Sequence, residues 1–243
     1  MVNCVIRPIP LAQWAHDKSM VTYRLNFGQT AMMVTYVWYI EGPKDKILID
    51  AGVSTEYLSK NRGIPATDIQ SLDSGLQKIG LAPDDIDLVI ITHLHSDHVA
   101  QASKFTKARF LIQRDELEFA LNPHPIVAGQ YPSEFFKGLN FEIISGDAKI
   151  CDEVSVLSTP GHTKGGQSVS VNTAQGSAII SGLCTCSENF DPPEPFRNTM
   201  PVYPFGIFIN LLDMYDSLLR IKNTADLVIP NHDPKYLEQN HIP

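Results

Sequence analysis

Three histidines and an aspartate fall within six residues, His93-Leu94-His95-Ser96-Asp97-His98, directly after the apolar run Leu88-Val89-Ile90-Ile91. Asp84, Asp85 and Asp87 precede that run, which therefore reads as a short buried strand with a polar approach. The histidines then occupy a turn at the strand's carboxyl end, where open α/β sheets usually place their chemistry. Imidazole nitrogens and carboxylate oxygens suit zinc and neighbouring divalent metals. Packing alone gives no reason to gather four such groups, and a histidine-rich surface loop would not need a buried strand to present it.

Two further histidines also follow strand-like runs. His162 comes after Val154 to Leu157 within Thr159-Pro160-Gly161-His162-Thr163, and His232 follows Leu227-Val228-Ile229 within Pro230-Asn231-His232-Asp233. Strands are also expected over Val2 to Ile6, Thr22 to Phe27, Ala31 to Ile40, Lys46 to Ile49, Ala108 to Ile112, Phe141 to Ser145, Gln167 to Val171 and Ser177 to Ser181. Helices are expected from Thr67 or Asp68 to Ile79, from Arg114 to Leu121 and from Ile207 to Ile221, with apolar residues at helical spacing in the first and last. The proline- and glycine-broken stretch from Asn122 to Gly138 reads as a loop or broken helix able to cover a pocket. No fixed repeat and no linker divides the 243 residues, so one domain over 1–243 is the simplest expectation.

Charge and cysteine usage narrow the setting. A formal charge of -8 argues against a nucleic-acid surface. The start of the chain lacks the features of a secretory signal, and no apolar run is long enough to span a bilayer. Cys4, Cys151, Cys184 and Cys186 are too scattered for a disulfide framework. Free thiols in a cytoplasmic protein are the expectation.

The constellation of His93, His95, Asp97 and His98, the Thr159-Pro160-Gly161-His162-Thr163 segment and His232 resembles the metallo-β-lactamase superfamily. Leu48-Ile49-Asp50-Ala51-Gly52 is similar to that family's early strand and turn. The resemblance implies an α+β fold, an αβ/βα sandwich of two mixed β-sheets flanked by helices. It also implies two divalent metal ions, zinc first, with iron, manganese or cobalt as alternatives. His93, His95 and His162 would hold one, and Asp97, His98 and His232 the other. Asp97 would also orient the nucleophile or handle a proton, and Asp50 would fix a histidine tautomer. Such a pair of cations polarises a carbonyl and brings the pKa of a shared water to about 7.

One part departs from the family pattern. Many relatives place a metal-bridging aspartate after a Ser-Gly or similar pair, whereas Ser181-Gly182 here leads to Leu183-Cys184-Thr185-Cys186. Leucine cannot ligate, so either the bridge is missing or Cys184 takes its place as a thiolate ligand. Within the superfamily the chain is most similar to N-acyl homoserine lactonases, on Ser187-Glu188-Asn189-Phe190 and the proline-rich stretch after it. That implies a hydrolase opening a lactone ring, with a small molecule as its partner. Tyr131, Phe135, Phe136, Phe190, Phe205 and Phe208 are the expected apolar wall for the substrate. Hydrolysis of a cyclic amide or imide, another ester or a thioester remains open, as does a metal-binding or sensor protein without catalysis.

Overall fold

The computed structural model describes residues 3–243. Its elements in order are β1 (Val5–Asp17), β2 (Thr30–Glu41), β3 (Ile47–Ile49), α1 (Thr55–Arg62), β4 (Ala66–Asp68), α2 (Leu72–Lys78), β5 (Leu88–Ile90), α3 (Ser96–Val99) and β6 (Arg109–Gln113). They continue with α4 (Arg114–Leu121), β7 (Phe141–Ile144), β8 (Ala148–Lys149), β9 (Val154–Ser158), β10 (Gln167–Thr173), β11 (Gly176–Ile180), α5 (Ser187–Phe190), α6 (Leu211–Thr224) and β12 (Leu227–Ile229).

The strands form a seven-stranded sheet, β4-β1-β2-β3-β5-β6-β7, and a five-stranded sheet, β12-β11-β10-β9-β8. Both are mixed. In the first, β3, β5, β6 and β7 run parallel while β1 and β2 are antiparallel; in the second only β11 and β12 pair in parallel.

Strand periodicity explains how the layers stack, because successive side chains point to opposite faces. In β3, Ile47 and Ile49 enter the core between the sheets, while Leu48 faces the helices. β5 repeats this with Leu88 and Ile90 inward and Val89 outward, and β6 with Leu111 inward and Phe110 and Ile112 outward. From the other sheet Val154, Val156, Val169, Val171, Ala178 and Ile180 meet them. α2 closes the outer face of the first sheet with Leu72 and Leu76. α6 closes the second with Met214, Leu218 and Ile221, spaced for one helical face, against Leu157 and Ile179. The result is the expected αβ/βα sandwich, with the carboxyl ends of β3, β5, β9, β11 and β12 gathered at one edge.

Several expected elements differ. The first strand's expected start at residue 2 lies outside the described residues, and β1 runs on to Asp17 through Pro8 and Pro10. The prolines are tolerated because β1 pairs there with β2 alone, β4 joining only at Ala12 to Trp14, and because the register shifts between Pro10 and Ala12. Thr22 to Phe27 is a chain of turns rather than a strand, with Arg24 and Asn26 both at φ of 57°. The helix expected from Thr67 or Asp68 begins at Leu72, since Ser71 supplies the cap to Ser74 N and residues 66–68 pair with β1. The last helix starts at Leu211, not Ile207, because the Asn210 side chain accepts from Leu212 N and Asp213 N. α1 was not anticipated, although Ser54 caps it and Gly63, at φ of 62°, ends it.

Candidate metal centre

All five candidate ligand histidines and Asp97 converge at that sheet edge. Asp97, His98 and the residues between them and β5 form the turn and short helix α3, which carries Ala51 N onto His98 O at 2.7 Å. His162 sits in a turn held against the start of α6. Gly161 there has φ of 126°, and a Cβ on it would come within 2.2 Å of Met214 N, so only glycine permits the approach. His232 follows β12 and is anchored by its N–H to Thr185 O at 3.0 Å.

The ligand atoms of His93, His95 and His162 lie within 4.8 Å of one another, and so do those of Asp97, His98 and His232. The His93 and His98 rings, one from each group, have centroids 3.9 Å apart, which places the two triads side by side.

Hydrogen bonds fix which nitrogen four of the five rings offer. His162 Nδ1–H donates to Ile207 O at 2.8 Å and His232 Nδ1–H to Val34 O at 2.9 Å. His98 Nδ1–H donates to Asp50 Oδ2 at 2.7 Å. Thr92 Oγ1 donates to Asp50 Oδ2 at 2.9 Å and so accepts from His93 Nδ1 at 3.1 Å. In each case Nε2 is turned inward. The Nε2 atoms of His93, His98 and His232 are fully buried with no hydrogen-bond partner. A buried polar atom left unpaired costs about 1–3 kcal/mol, and three at one point call for a common partner. A divalent cation, which binds imidazole Nε2 and carboxylate oxygen, fits that donor set.

The electrostatics agree. Burial drives the His93 and His95 pKa values well below the usual histidine range, and those of His162 and His232 to about 4. These rings are neutral at ordinary pH, with lone pairs free to ligate. His98 differs: burial would lower it, but the Asp97 and Asp50 carboxylates outweigh that and raise it to about 10. Burial pushes the Asp97 carboxyl up, yet His98 and His232 together hold it well below its usual value. With no cation bound, His98 thus carries a second proton on Nε2, on the side of Asp97, and a cation would displace that one.

Behind the candidate ligands lies a layer of buried polar residues. Asp50, expected to fix a tautomer, does so for His98 and also accepts from Thr92 N at 2.8 Å and from Asn231 Nδ2 at 3.4 Å. It sits at φ of 61°, a left-handed conformation that aspartate tolerates better than most residues. Glu116 is wholly buried and was not foreseen. Its two carboxylate oxygens accept from Leu94 N at 2.9 Å and Gly165 N at 3.0 Å, tying the His93–His95 turn to the His162 turn. Gln167 does similar work, donating to Ile91 O at 2.8 Å while accepting from Gln113 Nε2 at 2.9 Å.

The cleft over the triads is lined by Trp14, Met33, Leu58, Ile64 and Ile207 on its apolar side, with His16, Arg62, Gln130 and Cys184 among its polar groups. None of the six aromatics expected to form the wall lines it. Phe136, Phe190 and Phe205 are buried in the cores under the helices. Tyr131 packs its ring 4.8 Å from that of His95, while Phe135 meets Tyr57 and Phe208 meets Tyr23 edge to face.

Around the expected bridge, Leu183 points into the apolar cluster beneath α6. Gly182 has no room for a side chain, since a Cβ there would lie 1.7 Å from Gln167 O. Cys184 reaches the cleft beside His95, Asp97 and His162, but it joins neither triad at the 4.8 Å spacing. Cys186 turns away, its thiol 3.6 Å from Met33 Sδ.

Comparison with known proteins places this geometry. An N-acyl homoserine lactonase of Bacillus thuringiensis is 29% identical over 240 residues, covering 93% of this chain and 91% of the relative. A solved quorum-quenching N-acyl homoserine lactone lactonase superposes with a TM-score of 0.80 at 28% identity, covering 98% of this chain and 95% of that one. An N-acyl homoserine lactone hydrolase, solved with the product N-hexanoyl-L-homoserine at its catalytic metal centre, gives a TM-score of 0.78 at 26% identity, with 97% and 95% covered. The family model of the metallo-beta-lactamase superfamily matches residues 32–195, and with two mixed sheets and paired triads at their common edge, the chain belongs to that superfamily.

Proposed function

We infer that the protein is a metal-dependent hydrolase that opens a lactone ring of the N-acyl homoserine lactone kind. The observation that carries this is the pair of adjacent triads with inward Nε2 atoms that no protein group satisfies. We assign His93, His95 and His162 to one divalent ion and Asp97, His98 and His232 to the other, with zinc the first choice for both. Such ions supply Lewis acidity at the ring carbonyl and a water acidic enough to attack it near neutral pH.

The chain's own residues do the rest. Asp97 is ionised and partly exposed to the cleft, with Oδ2 3.4 Å from His98 Nε2 and 3.8 Å from His232 Nε2. From there it takes a proton from the attacking water and returns it to the ring oxygen as the acyl–oxygen bond breaks. Trp14, Met33 and Leu58 provide an apolar surface for the acyl group and exclude water from it. Asp50 and Glu116 hold the ligand turns in place. Cys184 is the remaining candidate ligand, a cleft-facing thiol just after the Ser181-Gly182 pair. The free thiols support a reducing, cytoplasmic setting. No helix among the described residues is long and apolar enough to cross a membrane.

The closed position at Gly182 and the buried Leu183 favour keeping a second reading, in which the same site cleaves an imide, thioester or other ester. One experiment separates them. The zinc-loaded protein is given a panel of lactone, imide and thioester substrates in oxygen-18 water. Lactone turnover with the label in the product carboxylate is expected. No ring opening, or label in the alcohol, overturns the lactonase reading.

A further inference from the structure

We propose that Arg62 selects substrates whose acyl group ends in an oxyanion, most suitably a carboxylate. The proposal rests on the hydrolase reading above and specifies its substrate class.

Arg62 closes α1 and projects into the cleft that also exposes His95 and Asp97. Its Nη1 donates to Gly129 O at 3.2 Å and Ser96 Oγ at 3.4 Å, so the guanidinium is held in place rather than free in solvent. Those two bonds use one of its three nitrogens. Among the described residues no Asp or Glu oxygen lies within 4.0 Å of it.

That is unusual for this chain. Arg7, Arg109, Arg114, Arg197 and Arg220 each pair with a carboxylate, and Arg24 lies over the Tyr23 ring. Acidic residues outnumber basic ones by 27 to 19, so carboxylates are not scarce. The one acid in the cleft, Asp97, is committed to His98 and His232. Among its other ionisable neighbours, burial lowers the pKa values of His16 and His95 and raises that of Tyr57, so none of the three carries a compensating negative charge.

The cleft therefore presents ligand triads, an apolar wall and a fixed, unpaired cation. A molecule matching all of these carries a scissile carbonyl, a short apolar spacer and an anionic end. Arginine's planar fork suits a carboxylate in a two-bond arrangement. A neutral alkyl end would instead cover the guanidinium without replacing its lost water, which costs affinity.

The test compares N-hexanoyl homoserine lactone with its N-adipoyl counterpart, identical but for a terminal carboxylate. The zinc-loaded wild type is expected to favour the adipoyl substrate in kcat/KM by about tenfold or more, through KM, as a charge-assisted bond implies. In Arg62→Gln the ratio should fall to near one, and in Arg62→Lys it should lie between. A second arm needs no lactone and no variant: calorimetric binding of hexanedioate and hexanoate to the zinc-loaded wild type, with hexanedioate about tenfold tighter. Equal kcat/KM for two lactones that are both cleaved, equal binding of the two acids, or a preference that survives Arg62→Gln would make Arg62 a latch between Ser96 and Gly129 and overturn the proposal. If neither lactone is cleaved but hexanedioate still binds better, the lactonase reading fails and the role of Arg62 stands.

Discussion

Replacing Asp50 with asparagine should weaken metal binding in one triad more than in the other. Asp50 has no solvent exposure, and its two oxygens receive four hydrogens: from Thr92 N, Thr92 Oγ1, His98 Nδ1 and Asn231 Nδ2. Asparagine offers one oxygen. If that oxygen stays on Thr92 N, the new amide group points its hydrogens at Thr92 Oγ1 and His98 Nδ1, which are donors already. The strain is relieved only if His98 moves its proton to Nε2, and that withdraws the lone pair from the Asp97–His98–His232 triad. A hydrogen bond to a charged group is worth about 1.5–3 kcal/mol, which corresponds to a loss of roughly 10- to 150-fold in affinity. Measured losses for partners behind a metal ligand, about 10- to 100-fold, fall in the same range.

Asparagine is the informative replacement because, like aspartate, it tolerates the left-handed backbone at this position. An alanine variant would confound lost charge with backbone strain. The assay is competition for zinc against a chromogenic chelator, titrated so that two binding steps are resolved. The step assigned to His98 should weaken by the factor above. The other should weaken less, since Asp50 reaches His93 only through Thr92 Oγ1. Two unchanged steps in a variant with wild-type unfolding temperature would refute the assignment of the His98 tautomer to Asp50.

Three further outcomes are expected. Asp97→Asn should lower kcat far more than it raises KM in steady-state assays of lactone hydrolysis, because it removes a proton acceptor used in the transition state; near-normal kcat at full metal content would exclude that role. Glu116→Gln keeps one acceptor where two backbone N–H groups are held, so thermal unfolding should report a loss of about 1–3 kcal/mol, and the His93–His95–His162 ion should bind more weakly. With cobalt in place of zinc, Cys184→Ser should abolish a near-ultraviolet thiolate band that Cys186→Ser leaves intact; a spectrum indifferent to both makes Cys184 a packing residue.

The parts of the site legible in the sequence were those written in contiguous residues. Leu88 to Ile91 is apolar because it lies between two packed layers, and the candidate ligands follow where its pairing ends, so strand and turn are visible together. His162 and His232 were visible for the same reason. The substrate wall was not. Tyr131, Phe136 and Phe205 carry the same apolar signal whether they face a cleft or a core, and only packing against α2, α4 and α6 decides between them. Trp14, which does line the cleft, lies in a stretch of β1 whose prolines hid the strand. Glu116 left no trace because both its partners are backbone N–H groups, 22 and 49 residues away along the chain. No local pattern marks such a contact.

Several of the bonds that hold the candidate ligands and their neighbours cross between the two sheets. His232 follows a strand of the second sheet, yet its ring is fixed by Val34 O of β2 in the first. Asn231, beside it, donates to Asp50 at the end of β3 and accepts from Trp38 Nε1 of β2 at 3.0 Å. Gln167 of β10 donates to Ile91 O just past β5, and its own N–H donates to Thr92 O at 3.0 Å. The His93 and His98 tautomers are set on the first sheet's side, but that of His232 is set only when the sheets dock, and docking is also what brings His162 and His232 up to the other ligand candidates. The converse also holds. The edge where the sheets meet buries several Nε2 atoms without partners, a local cost about as large as the hydrogen bonds that orient them. Docking must be supported by the apolar core between the sheets, where Tyr36, Trp38, Val156 and Ile180 are almost wholly excluded from water. A cation that satisfies those nitrogens then adds its binding energy to the docked state alone, and so couples the stability of the sheet interface to metal occupancy.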